Sequence, residues 1–225
     1  MFVRTALLVL RKDFAIEVKS REILYTTLLF ALSCVLVFSI GFVKQGEPLE
    51  DAASGILWIA VEFAGTLALG RTFERERQSE TLRALLMAPS DRPAIYVGKL
   101  LGIVALLVGA ELVLVPLVAF LFQAPLLGHP FWLAAILLSG TFGFASVGTL
   151  FSAMLVRARS RDVLLPVLLY PITVPVIIAG VRATAALLQP DVELAIVRFW
   201  VMLLLALDVV FLTLALWTFE PLMTD

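Results

Sequence analysis

Six apolar runs, each near the length needed to cross a bilayer, constrain this chain more than any other feature. They cover residues 23–43, 55–69, 98–122, 131–156, 163–180 and 199–219. A hydrocarbon core about 30 Å thick takes about 20 apolar residues per helical span. Helices cross it because they satisfy their own backbone polar groups. The hydrophobic fraction of 61% and mean hydropathy of +1.04 exceed the roughly 45–50% apolar content of a soluble domain. The expectation is an all-α integral membrane protein, a six-transmembrane-helix bundle forming one domain over residues 1–225. The second run is short and extends through Arg71 if that side chain snorkels to the interface.

The basic residues orient the bundle. Of the 17 Lys and Arg, all but Lys44, Arg182 and Arg198 fall on the side of the amino terminus or in the loops that return to it. The positive-inside rule then places both termini in the cytoplasm. The net charge of −1 and the dispersion of the basic residues argue against a nucleic-acid partner. Cys34 has no internal disulfide partner and reads as a packing residue.

Residues 1–22 lack the length and cleavage site of a signal peptide and read as uncleaved. Arg4, Arg11, Lys12 and Lys19 share one arc of a helical wheel, and Phe2, Val3, Leu10 and Phe14 lie on another. That pattern suits an interfacial helix, although Asp13 and Glu17 interrupt its apolar side.

The loop at 71–92, RTFERERQSETLRALLMAPSDR, is charged first and amphipathic after. Ser79 is placed to cap a helix starting at Glu80, Pro89 stops it, and Leu82, Leu85 and Leu86 form a stripe. A helix of about nine residues needs a surface to lie on, either the membrane or another protein. The flank of Glu74, Arg75, Glu76, Arg77 and Glu80 favours a protein with a polar rim.

The fifth run holds Pro166, Pro171 and Pro175, so a kinked or broken helix is expected, either in an interior or pathway-lining position with the prolines as hinge points or as a packing kink with no pathway role. The fourth is rich in small residues from Ser139 to Ala153, and Gly98 and Gly102 form a further small pair; both are packing signals. Glu62, Glu111 and Asp208 fall inside spans, where an ionised carboxylate costs about 2.5–3.5 kcal/mol, so each should face the interior or pair with a donor. No GxxxxGK[ST] cradle, HExxH, paired CxxC or EF-hand loop occurs, so no catalytic residue, ATP site or metal site is assigned. His129, before Pro130 in a short loop, reads as a surface residue rather than a haem ligand.

Several segments together resemble the membrane permease subunit, component B, of the haem exporter in system I cytochrome c maturation. They are ILWIAVEFAGTLALGRTFERERQ from Ile56, TLRALLMAPSDRPAIYVGKLLG from Thr81, ELVLVPL from Glu111, GFASVGTLFSAM from Gly143 and RSRDVLLPVLLYPITVPVIIAG from Arg159. The resemblance covers nearly the whole chain. It implies a type-2 ABC exporter permease, non-catalytic itself, with ATP and Mg bound by a separate cytoplasmic ATPase subunit. Residues 74–88 look like the coupling helix of that family, seated in a groove of the ATPase. It also implies a second copy of the chain, a haem-handling membrane subunit, a periplasmic haem chaperone, the bacterial inner membrane as location and haem as candidate cargo. The tryptophan-rich motif of the haem-handling subunit is absent here. Another amphiphile as cargo, or a non-transporting scaffold, remains open on sequence alone.

Overall fold

The computed structural model describes residues 2–41, 43–44, 47–48, 52–78, 92–158 and 160–222. In chain order its helices are α1 (Phe2–Ser20), α2 (Glu22–Gly41), α3 (Ala53–Gln78), α4 (Arg92–Phe122), α5 (Pro130–Met154), α6 (Arg161–Leu187) and α7 (Leu194–Leu222). Short 3-10 turns, Leu126–Gly128 and Leu155–Arg157, precede and follow α5. Two two-residue strands, β1 (Val43–Lys44) and β2 (Glu47–Pro48), pair antiparallel between α2 and α3. Each of α2 to α7 contains a stretch long and apolar enough to span a membrane, and the six expected runs fall on them. The second span does extend to Arg71, and α3 continues as helix to Gln78.

α5 is the centre of the bundle, touching α3, α4, α6 and α7. Buried residues make up 72% of its spanning window, against 22% for α2 and α7 at the periphery. Its small residues receive the side chains of its neighbours. A β-carbon at Gly140 would collide with the Trp58 indole, and one at Gly148 with Leu69, while Phe144 fills the space left at Gly65. Residues 58, 65 and 69 of α3 thus meet 140, 144 and 148 of α5 in the same order. The two helices run parallel, as second and fourth spans of an alternating bundle must. Trp58 also lies against Gly180 of α6 and donates its indole N–H to Thr184 Oγ1 at 3.0 Å. A buried indole needs such a partner.

The glycine at 98 serves α1. Its added β-carbon would lie 2.7 Å from the Ala6 carbonyl oxygen and 2.8 Å from Val9 Cβ. The buried face of α1 is therefore Ala6 and Val9, with Asp13 one turn on, packed against α4. Val3, Leu7, Phe14 and Val18 stay exposed on another face, as suits an apolar surface turned to lipid. The two acids that break the apolar pattern have structural partners. Asp13 pairs with Lys99, and Glu17 Oε1 accepts the Leu24 backbone N–H at 2.8 Å, capping α2 across the left-handed Arg21 (φ 53°).

Of the two outcomes expected for the proline-rich span, a kink or a break, the break is not found. α6 is one uninterrupted helix through Pro166, Pro171 and Pro175. The carbonyls freed by Pro171 and Pro175 belong to Val167 and Pro171, spaced four apart on one face, so one side of the helix absorbs both losses. That face points away from the single chain: Val167, Pro171 and Pro175 are exposed. α6 itself packs against α3, α5 and α7, and Pro166 is half-buried.

Candidate functional site

The end of the bundle that gathers the basic residues also gathers the start of α6 and the point where α3 leaves its apolar span. The two are fastened by one side chain. Arg161, at the first position of α6, is 4% exposed and donates from Nη2 to the carbonyl oxygens of Leu69 and Gly70, each at 3.0 Å. Those carbonyls are inside α3, already accepting from their own helix, and the guanidinium takes their second lone pairs. A cation at a helix amino terminus opposes the helix dipole, and Asp162 in the same turn offsets it. Such a position is unfavourable for α6 alone, so it is the grip on α3 that accounts for it.

Just beyond this clasp α3 runs on to Gln78, which puts the backbone of Glu74, Arg75 and Arg77 in its final turns. Glu80, Leu82, Leu85 and Leu86 lie outside the described residues, as does the helix expected after Ser79. Arg161 is thus the described contact nearest to the segment read as coupling helix.

The three intramembrane carboxyl groups lie at three different interfaces. Glu62 of α3 is half-buried and accepts from Thr173 Oγ1 of α6 at 3.3 Å. Beside it Thr66 Oγ1 donates to the Glu62 carbonyl at 2.9 Å and lies 3.3 Å from Tyr170 Oη, while the Tyr170 ring packs edge-on against Phe63. Together these make a polar seam along α3 and α6. Glu111 of α4 is 4% exposed and accepts a short hydrogen bond from the Thr141 hydroxyl of α5. Asp208 of α7 is 7% exposed and aims at α5, where a β-carbon on Gly143 would lie 2.5 Å from Oδ1. That oxygen has no hydrogen-bond partner among the described residues. Each acid turns inward or to a donor, as the cost of charge in lipid demands, but the three do not converge. Among the described residues no three His, Cys, Asp or Glu side chains come together to hold a metal ion. His129 is exposed in the turn before α5.

Sequence reasoning counted Lys99 and Arg161 as topological charges and missed both contacts. Lys99 is 3% exposed and its ammonium lies 2.7 Å from Asp13 Oδ2, while Lys12 holds Asp13 Oδ1 at 3.1 Å. The signal was present in Asp13, an acid facing the wrong way on an otherwise sorted wheel.

Comparison with known proteins places the chain. The model of the family described as CcmB protein matches residues 4–221. The chain is similar to heme exporter protein B of Rhodobacter capsulatus, 34% identical over 190 residues, which are 83% of this chain and 86% of that protein. It is 27% identical over 163 residues to heme exporter protein B of Pseudomonas aeruginosa, 72% of each chain. A shorter stretch of 73 residues is 30% identical to heme exporter protein B of Escherichia coli, 32% of this chain and 33% of that one. A bundle of six apolar helices matched by that family model from residue 4 to residue 221 belongs to the CcmB protein family.

Proposed function

We propose that this chain is the membrane permease subunit of an ATP-driven ABC complex that exports haem, or releases the haem chaperone, in c-type cytochrome biogenesis. The observation that carries the reading is the likeness, along most of both chains, to heme exporter protein B of Rhodobacter capsulatus. In this reading the chain has no catalytic residue, sits in the bacterial inner membrane and keeps both termini in the cytoplasm. A separate ATPase subunit binds ATP and Mg and docks on the coupling segment through Glu74, Arg75, Arg77, Glu80, Leu82, Leu85 and Leu86.

Arg161 supplies the route inward. When the ATPase moves the end of α3, the guanidinium clasped to Leu69 and Gly70 carries that displacement to the start of α6, at the opposite end of the same contact from Thr173 and Glu62. α6 bends most easily at Pro166, Pro171 and Pro175, where its ladder lacks donors. A second copy of the chain covers the outward face of α6, because freed carbonyls and a half-buried carboxyl are poorly tolerated against lipid. A haem-handling membrane subunit and a periplasmic haem chaperone complete the assembly.

Deleting the chain and measuring covalent haem on c-type cytochromes, with the haem load of the periplasmic chaperone, tests this function. Loss of covalent haem, restored by the intact chain, is the expected result. Normal levels of both without the chain would overturn it.

A further inference from the structure

A cavity of about 570 Å³ lies where α1 turns into α2, with α4 as its floor. Lys12, Arg21, Lys99, Asp13 and Glu17 stand at one end of it, and the other end is apolar. The floor is smooth because α4 presents Gly102, Ala105 and Gly109 there, and a β-carbon added at Gly109 would meet no atom within 4 Å. The cavity opens outward, since Phe14, Val18, Tyr25 and Ala105 on its lining are exposed.

We propose that this cavity binds one anionic glycerophospholipid of the leaflet on the basic side of the bundle, with its phosphate at Arg21 and Lys12 and one acyl chain along Gly102, Ala105 and Gly109. Two observations choose that occupant. From Lys99 to Gly109 a helix rises about 15 Å, half of a hydrocarbon core about 30 Å thick, so the groove reaches from headgroup level to the bilayer centre. That is the depth one leaflet's acyl chain occupies. The charges at the mouth also fit: Asp13 is taken up by Lys99 and Lys12, and Glu17 caps α2, which leaves the polar end with one more cation than anion. A lipid wedged here would hold α1 against the first turns of α4, extending the work of the Lys99 pair.

Native mass spectrometry of the full chain in its membrane complex, stripped of bulk lipid, tests the proposal. Phosphatidylglycerol and phosphatidylcholine of identical acyl chains are the probes. The wild-type chain should retain one phosphatidylglycerol and bind it about fivefold more tightly than phosphatidylcholine, the effect of one well-placed cation. Gly109→Phe, which grows into empty space, should lose both lipids while keeping its helical circular dichroism. Arg21→Glu, at a surface position, should abolish the preference for phosphatidylglycerol, weakening phosphatidylglycerol more than phosphatidylcholine, and it decides the matter should Gly109→Phe fail to fold. Equal affinity for the two lipids in the wild-type chain, retention of phosphatidylglycerol by Gly109→Phe, or release of haem from the cavity by its absorbance would overturn the proposal.

Discussion

Lys99 and Arg161 are cations of nearly equal burial at the same end of the bundle, yet they are held by different kinds of acceptor. Lys99 meets a carboxylate on α1, whereas Arg161 meets two carbonyls of α3 that already have partners in their own helix. The first contact is a fastening, since loss of Asp13 strands the Lys99 ammonium out of water and loss of Lys99 leaves Asp13 with Lys12 alone. The second includes a grip on backbone dipoles, and letting go of it leaves no carbonyl orphaned, although the buried guanidinium still needs acceptors of its own. In the function proposed above, α1 is the fixed frame and the α3–α6 contact is where movement would pass.

The largest effect should come from breaking the fastening. Lys99→Met leaves Asp13 with Lys12 alone and should cost about 3 kcal/mol, near the low end for a buried pair. Thermal unfolding of the purified chain measures the loss. Adding Asp13→Leu should recover most of it, and a double variant no more stable than Lys99→Met would mean that the pair is not what holds α1.

Glu111 sharpens the contrast, because it is a buried acid held by a hydroxyl. Glu111→Gln keeps an acceptor for Thr141 and adds a donor without a partner, so stability should fall by about 1 kcal/mol. Covalent haem should fall further than that small change in stability explains, with insertion unchanged. Full cytochrome c maturation in this variant would assign Glu111 to packing.

Smaller still in stability is the change at the prolines. Pro171→Ala with Pro175→Ala returns two backbone donors to α6 and should leave its insertion and unfolding temperature near wild type, while reducing covalent haem at an unchanged ATPase rate. Wild-type levels of both would reduce the two prolines to packing features.

Much of this was legible in the chain. The six spans follow from length and hydropathy, properties of each segment taken alone. The glycines at 140, 143 and 148 announced a close helix contact, but their partners Trp58, Asp208 and Leu69 are set by tertiary pairing that periodicity does not encode. The prolines allowed a kink or a break, and the continuous helix excludes the break. Spaced at 171 and 175, they leave their unmet carbonyls on one outward face, which a continuous helix tolerates. Arg161 could not be told from Arg157 or Arg159 in sequence, since the positive-inside rule counts charges without regard to what they touch.

The claim that Arg161 transmits movement from α3 to α6 is tested most directly by Arg161→Met, with ATPase rate and covalent haem on c-type cytochromes measured in the same membranes. Met keeps the volume of the stem and removes the grip, so the complex should assemble and hydrolyse ATP near the wild-type rate. Covalent haem should fall about tenfold, the consequence of losing about 1.4 kcal/mol of coupling. Wild-type covalent haem at a wild-type ATPase rate would contradict the account.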